Sequence, residues 1–235
     1  MRTWVLCLYF MGLNLSNRQI ASELGLNKDD VQRMTQQLRQ GIKSAQPAPR
    51  LSGEVEADEV YVTAGHQGHP DAVQKKRRGR RRRLKGARGR GTLAKEKPPI
   101  LGLIQRSGEV VLRMLENVQQ QTIEPIIRGC VSAGTRFSTD EYDIDSRLTD
   151  WGDDHHHSVC HSRSEYARDD DGDGFCEIHV NTMEGVWSLL RSWLRPHRGL
   201  SQEHLPLHLN FFQFVHNARV RGKGQLPALL GALVA

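Results

Sequence analysis

Apolar side chains recur at helical spacing in the first forty residues, which predicts three short helices. In the first helix, Trp4, Leu8 and Met11 share one face. Ser16 suits the N-cap of the second helix, which is predicted over residues 17–24. The N-terminal stretch is therefore expected to be entirely helical.

A turn at Gly25 joins the second helix to a third, predicted over residues 28–40. The small Ala21, the turn glycine and Val31 have the spacing of a helix-turn-helix, in which the last helix reads DNA. That helix offers polar side chains suited to phosphates and base edges: Lys28, Gln32, Arg33, Gln36, Gln37 and Arg39. The alternative is a three-helix bundle that makes protein contacts.

Residues 43–52 are polar and hold two prolines, which predicts a linker. The next stretch, residues 53–62, alternates apolar and acidic positions and predicts a strand. Asp58 shares a face with Val60 and Val62. A carboxylate at the edge of a buried face is costly unless a cation pairs with it, so a divalent metal or a basic side chain is expected beside it.

The chain then alternates between strand and helix patterns. We predict these elements in order: strand 99–105, a turn, strand 110–115, helix 119–131, strand 136–142, helix 179–191 and a final helix from Ser201 to about Arg219. Residues 222–235 are expected to form a peripheral apolar tail. Antiparallel strands followed by a crossover helix and a further strand predict a mixed α/β sheet covered by helices.

Two stripes run along the predicted helix 179–191. The apolar stripe, expected to face the core, consists of Met183, Trp187, Leu190 and Leu194. The polar stripe beside it consists of Asn181, Glu184, Ser188, Arg191 and Arg195. Such a polar stripe suits metal and phosphate chemistry, although in isolation it more often marks a solvated face.

The charge of the chain is concentrated in one block. The net charge is +6, and eleven of the sixteen residues 75–90 are Lys or Arg, Arg80, Arg81, Arg82 and Arg83 among them. A block that repels itself and carries no aromatic side chain suits contact with a nucleic-acid backbone through counterion release. The alternatives are a solvated loop without a partner and a chance likeness to a nuclear-localisation signal.

Residues 143–178 are polar and are expected to form an irregular loop. They hold His155, His156, His157, Cys160 and His161, but paired ligand spacing is missing, so no structural zinc is expected. An acidic run from Asp169 imitates a calcium loop, yet its twelfth position is Val180 rather than Glu. His161 is the member that could lie near a catalytic face.

The four cysteines are scattered, which fits a reducing compartment. The chain holds no apolar run long enough for a membrane helix, and its short apolar start lacks a cleavage site. We therefore expect a cytoplasmic protein with no membrane partner.

Three acids stand on different predicted elements: Asp58, Asp140 and Glu184. Phosphodiester cleavage needs an attacking oxygen to be activated and a leaving oxygen to be stabilised, and two Mg²⁺ ions can do both. Carboxylates that arrive from separate directions can hold such hard cations. Together with the basic block, these acids favour metal-dependent chemistry on a nucleic acid.

The sequence resembles the DDE-type transposases of bacterial and archaeal insertion sequences. The resemblance rests on four motifs, at residues 55–62, 97–103, 138–142 and 179–190, and covers most of residues 3–220. It implies a ribonuclease-H-like catalytic domain in which Asp58, Asp140 and Glu184 bind two Mg²⁺ or Mn²⁺ ions. It also implies that Arg191 contacts DNA, while Asn181 is an unusual neighbour that could share the third ligand role.

The resemblance implies a domain order as well. We expect a helix-turn-helix domain (1–42), a linker (43–52), a ribonuclease-H-like mixed sheet flanked by helices (53–220, with a basic loop at 63–97 and a polar loop at 143–178) and a tail (221–235). The similar group carries a zinc ribbon before the helix-turn-helix, and we expect none here. The alternatives are a natural short form, an N-terminally truncated copy and a misassigned start.

The implied partners are double-stranded DNA, both terminal repeats and target, and a second copy of the chain in at least a dimer. The implied activity is strand cleavage at the element ends followed by strand transfer. Two alternatives stay open: an inactive DNA-binding relic that represses transposition, and a nuclease of the same fold that never joins strands.

Overall fold

The structure is a computed structural model, and it divides into two compact units. It describes residues 1–45, 49–65, 93, 96–140, 156–159, 167–168, 178–179, 181–197, 199–222 and 224–234. The first unit comprises Met1–Pro47, Tyr61–Pro98 and Arg191–Ala235, and the second comprises Ala48–Val60 and Pro99–Leu190.

Helices dominate the described part of the first unit. They are α1 (Arg2–Gly12), α2 (Asn17–Leu24), α3 (Lys28–Ala45), α6 (Leu205–Val220) and α7 (Gln225–Val234). The predicted cap is confirmed, since Ser16 and Gln19 form a reciprocal capping box. Gly25 adopts φ 63°, the left-handed conformation that ends α2 and turns the chain into α3. Helix α3 ends at Ala45, five residues beyond the predicted end.

The core of this unit joins the N-terminal helices to the C-terminal ones. Leu8, Ile20 and Val31 are buried in the same cluster as Phe211 and Leu229. Helix α6 is buried over most of its surface, and its buried apolar residues include Leu205, Leu209, Phe212 and Val215.

Two expectations for this unit are wrong. The segment predicted as a peripheral tail instead forms α7, and Leu229 in it is fully buried. On α1, Trp4 is exposed while Cys7 is buried, so the buried face of that helix is rotated from the predicted one.

A five-stranded sheet organises the second unit, in the order β3-β2-β1-β4-β5. The strands are β1 (Glu54–Tyr61), β2 (Pro99–Gln105), β3 (Val110–Met114), β4 (Arg136–Asp140) and β5 (His156–Val159). Strands β2 and β3 are antiparallel, whereas β4 runs parallel to both β1 and β5. Helix α4 (Gln120–Cys130) provides the crossover between β3 and β4. The predicted mixed α/β architecture is thus confirmed, and it is compatible with a ribonuclease-H-like domain.

The sheet and α4 share a second core. Leu101 and Val111 from the antiparallel pair are buried with Phe137 of β4, and Ile123 and Ile127 cover them from α4. This apolar layer fixes α4 on the sheet, and it holds β1 between its two neighbours.

We predicted that the polar segment 143–178 is irregular throughout, but parts of it form strands. His156–Val159 forms β5, whose register pairs Phe137 with His156. A two-stranded ladder joins β6 (Ala167–Arg168) to β7 (Ile178–His179). Because His179 belongs to β7, the following helix α5 begins at Asn181 and ends at Leu194, rather than spanning residues 179–191.

None of the helices in the described part of the chain combines the length and the apolarity that a bilayer crossing requires.

Candidate active site

Strand β1 presents a row of carboxylates at alternate positions. Glu54, Glu56 and Asp58 are two residues apart, and side chains at this spacing point to one face of a strand. The three differ in burial: Glu56 is only 1% exposed, while the other two are half-buried. Arg106, directly after β2, pairs with Glu54 and lies 3.6 Å from Oε1 of Glu56. The face thus gains one of the cations that its acids require.

Glu56 holds the first turn of α5. The Thr182 hydroxyl donates to Oε1 of Glu56 at 2.7 Å, and the Met183 backbone N–H donates to Oε2 at 3.0 Å. The first N–H groups of a helix have no partner within the helix, and the positive end of its dipole favours an anion there. A strand carboxylate therefore acts as the cap of α5.

Asp58 contacts the same helix one turn further on. The indole N–H of Trp187 donates to Oδ2 of Asp58 at 2.7 Å, and the backbone N–H of Glu59 donates to Oδ1 at 2.7 Å. Two strand residues span roughly 6.6 Å and four helical residues roughly 6 Å. The two contacts therefore match in spacing, and α5 runs along β1 in the same direction.

A glycine on β2 lets α5 approach this closely. A Cβ atom at Gly102 would lie 2.7 Å from Cζ2 of Trp187, and closer still to Cη2 of that ring and to the methyl group of Met183. Met183 and Trp187 are both buried, as predicted for the apolar stripe. Any larger residue at position 102 must therefore displace these two side chains or the helix that carries them.

Glu184 follows directly after the residue that Glu56 binds and precedes Trp187 by about one helical turn. Its side chain is exposed, like Ser188 and Arg191 of the same predicted polar stripe. The helix that is anchored on Glu56 and Asp58 thus carries Glu184 between its two anchors.

Asp140 is placed by the register between parallel strands. Ala57 of β1 pairs with Thr139 of β4, and Asp58 and Asp140 are the next residues on their strands. The backbones of Asp58 and Asp140 therefore lie next to each other at the end of the paired stretch of β1 and β4. The side chains of Asp140 and Asn181 lie outside the described part of the structure. Among the side chains that are described, no three His, Cys, Asp or Glu residues form a group that could hold a metal ion.

The predicted DNA-contacting residues have different locations. Lys28, Gln32, Arg33 and Gln36 are exposed on α3, and Arg191 is exposed on α5. Arg39 was predicted to belong with them, but it is only 5% exposed. The basic residues Arg80, Arg81, Arg82 and Arg83, as well as His161 in the polar segment, lie outside the described residues.

Glu56 and Gly102 are the site residues that sequence reasoning missed. The signal for Glu56 was the alternation itself, because three acids on one strand face cannot all remain without partners. The signal for Gly102 was a glycine within the apolar run of β2, where a glycine often marks close approach by another element.

Comparisons with known proteins identify the family of the chain. Residues 50–217 match the family described as the ISXO2-like transposase domain. A protein of Halobacterium salinarum, described as an uncharacterised protein in transposable element ISH50, is 31% identical over 239 aligned positions, which cover 98% of this chain and 74% of that protein. The family match covers the whole five-stranded sheet, α4, α5 and most of α6. The chain therefore belongs to the ISXO2-like transposases.

Proposed function

We propose that the chain is the DNA transposase of an insertion sequence, which cleaves strands at the ends of the element and joins them to target DNA. The observation that carries the proposal is the attachment of α5 to β1. Glu56 and Asp58 fix the helix that bears Glu184, and the register of β4 brings the backbone of Asp140 beside that of Asp58.

Asp58, Asp140 and Glu184 are the residues that would hold two Mg²⁺ or Mn²⁺ ions. The donor set fits, because these hard cations prefer carboxylate oxygens that arrive from separate elements. We assign Glu56 to holding α5 rather than to the metal ions, because it is only 1% exposed and both of its oxygens accept bonds from the first turn of that helix. When bound, the ions supply activation of the attacking oxygen and stabilisation of the leaving oxygen.

The neighbours of Asp58 orient its carboxylate. The backbone N–H of Glu59 donates to Oδ1 and the indole N–H of Trp187 donates to Oδ2, so the direction of both oxygens is fixed. Both donors favour the charged form, which is the form that binds a cation. Trp187 is therefore a positioning residue for Asp58.

DNA would be held by cationic and polar side chains outside this carboxylate group. Arg191 follows Glu184 by seven residues on α5, and such a cation suits a phosphate near the cut. Helices α2 and α3, joined by the turn at Gly25, would serve as a helix-turn-helix that binds terminal repeats, with Arg80, Arg81, Arg82 and Arg83 on the backbone. Bringing two ends together requires at least a dimer on DNA.

The test uses the purified full chain, oligonucleotides that carry the terminal repeats of the element, and Mg²⁺. We expect nicking at the repeat end followed by joined products, and loss of both in Asp140→Asn. Glu116→Gln, which changes an exposed acid beyond β3, is the control and should keep full activity. Absence of metal-dependent cleavage by the folded protein, or full activity in Asp140→Asn, would refute the proposal. Cleavage without joined products would identify a nuclease instead.

A further inference from the structure

The first unit contains a cavity of about 810 Å³ that the proposed cleavage chemistry does not use. One wall is formed by the start of α2 and one side of α3, and the other by Pro196, His197 and residues between Gly199 and His208. The exposed Lys28, Gln32 and Gln36 stand along the α3 side of the opening. The cavity is therefore large and open to solvent.

The charge of the cavity wall has a single sign. The described residues that line it include the cations Arg18, Lys28 and Arg39 and the histidines His197, His204 and His208, but no Asp or Glu. A concave surface that carries one sign of charge concentrates ions of the opposite sign. An anionic ligand is the chemistry that this wall fits.

Arg39 is the buried cation of the cavity wall. It is 5% exposed, its Nε has no hydrogen-bond partner, and its guanidinium carbon lies 5.7 Å from the centre of the Phe211 ring. Burial lowers the pKa of Arg39 to about 10, so the group stays charged at neutral pH. An unpaired buried cation typically costs several kcal/mol, and an anion in the cavity would remove that cost.

Neutral histidines complete the buried end. His208 is 8% exposed with an unpartnered Nδ1, and its ring centre lies 4.8 Å from that of His197. Burial, with Arg39 as the second cause, lowers the pKa of His197 to about 4 and that of His208 well below its usual value. Both rings are neutral at pH 7, and a neutral imidazole has one N–H to donate. Nε2 of His197 already donates to Oδ1 of Asn14 at 2.9 Å, so the N–H that suits an anion is that of His208.

The start of α2 adds hydrogen-bond donors at the rim. Ser16, Asn17 and Arg18 line the cavity, and the first N–H groups of a helix attract anions. The rim thus combines a helix N-terminus with the side chains of Arg18 and Lys28, while Arg39 provides the buried charge.

We propose that this cavity binds a phosphate group, with Arg39 as its buried anchor and Arg18 and Lys28 at its rim. The volume exceeds that of one phosphate, so the group belongs either to a DNA backbone that enters the opening or to a small phosphate-bearing molecule. The DNA source rests on the proposed function, whereas binding of the phosphate group itself does not.

The test measures thermal unfolding of the full chain against inorganic phosphate at constant ionic strength and pH 7.5, without divalent metal. We expect a saturable rise in Tm for the wild type, because a ligand that binds only the folded state stabilises it. Lys28→Gln should raise the Kd for phosphate about tenfold. Lys43→Gln changes an exposed lysine of the same helix that does not line the cavity, and it should leave that Kd unchanged.

Arg39→Met separates a ligand-binding role from a structural one. We expect the saturable phosphate shift to disappear while the Tm without phosphate stays equal or rises, because the substitution removes an unpaired buried charge. A lower Tm together with a retained phosphate shift would overturn the proposal. If Arg39→Met does not fold, the double variant Arg18→Gln/Lys28→Gln replaces it in the test. We expect this variant to lose the rise in Tm with phosphate, and a retained rise would overturn the proposal.

Binding to a DNA duplex at several salt concentrations identifies the source of the phosphate. If the cavity holds backbone phosphates, Arg39→Met weakens DNA binding and flattens its dependence on salt. If it holds a small molecule, Arg39→Met binds DNA like the wild type but loses the phosphate shift. A wild type without any saturable shift overturns the proposal. None of these measurements requires cleavage, so their outcome is independent of whether the proposed catalytic function is correct.

Discussion

At the scale of single residues, the most consequential side chain is one that performs no chemistry in the proposed reaction. Glu56 is almost completely buried, and it links the middle of β1 to the first turn of α5 through Thr182 and Met183. A buried carboxylate is tolerated only when it is paired, and here the pairing fixes where the helix starts.

Glu56→Gln and Glu184→Gln should therefore separate stability from activity. We expect Glu56→Gln to lower the free energy of unfolding by roughly 1–3 kcal/mol, since it weakens charge-assisted bonds and leaves buried groups imperfectly paired. Glu184→Gln changes an exposed side chain of the same helix, so its stability should stay within about 0.5 kcal/mol of the wild type while cleavage is lost. Urea unfolding and the oligonucleotide assay measure the two effects. Equal stability of both variants would contradict the capping role.

Trp187→Phe tests whether the indole N–H orients Asp58. Phe keeps most of the apolar contact and removes the donor, so we expect a loss of roughly 1 kcal/mol in the free energy of unfolding. The specific effect is a higher Mg²⁺ concentration for half-maximal cleavage, because the carboxylate is no longer held. If stability falls and the Mg²⁺ dependence is unchanged, Trp187 only fills space.

At the scale of elements, the contact between α5 and the sheet depends on Gly102. Gly102→Ala should lower the free energy of unfolding by about 1–3 kcal/mol, because the new methyl group overlaps Met183 and Trp187. Gly185→Ala is the matched control on the exposed side of α5, where a Cβ meets nothing within 4 Å. It should instead stabilise the protein by about 0.5–1 kcal/mol. Denaturant unfolding of both variants gives the sign of each change, and the same sign in both would contradict this packing.

Elements with strong local signals could be predicted from the sequence. The apolar run of β2 was predicted to the residue, and the cap at Ser16 followed from local chemistry. Strand β5 could not be predicted, because His156–Val159 has no apolar alternation and forms a strand through its pairing with β4. Burial of α7 depends on a partner at the other end of the chain, which no local pattern reveals.

The candidate site could be predicted only as far as local patterns indicate it. Acids on three elements could be listed from the pattern, and the register of β1 with β4 agrees with a common location for Asp58 and Asp140. The contacts that support these acids could not be predicted from the sequence, because Glu56 and Met183 are 127 positions apart. Arg39 shows the converse: its helical position indicated an exposed cation, and packing of α3 with α6 buried it beside Phe211.

At the scale of the whole molecule, stability should depend on pH through His197 and His208. Their folded-state pKa values lie below the usual 6.5 because of burial and Arg39. The unfolded chain therefore binds protons below pH 6.5 while the folded chain does not, and stability falls as the pH drops from about 6.5 towards about 4. The loss is at most about 1.4 kcal/mol per pH unit and group.

Urea midpoints at pH 7.5 and pH 5.0 measure this effect. The drop in stability between the two pH values should shrink in His197→Gln, since the substitution removes one of the groups that titrate only in the unfolded chain. His216→Gln, which changes a histidine of α6 outside the cavity wall, should retain the drop. An unchanged drop in His197→Gln would contradict the account.

The central claim is that carboxylates on β1, β4 and α5 share one divalent-metal site. Mn²⁺ binding to the full chain, followed by electron paramagnetic resonance of the free ion, tests this most directly. The account predicts that Asp58→Asn, Asp140→Asn and Glu184→Gln each weaken Mn²⁺ binding at least tenfold, and that Glu116→Gln binds like the wild type. Wild-type Mn²⁺ affinity in any one of the three variants would contradict a shared site.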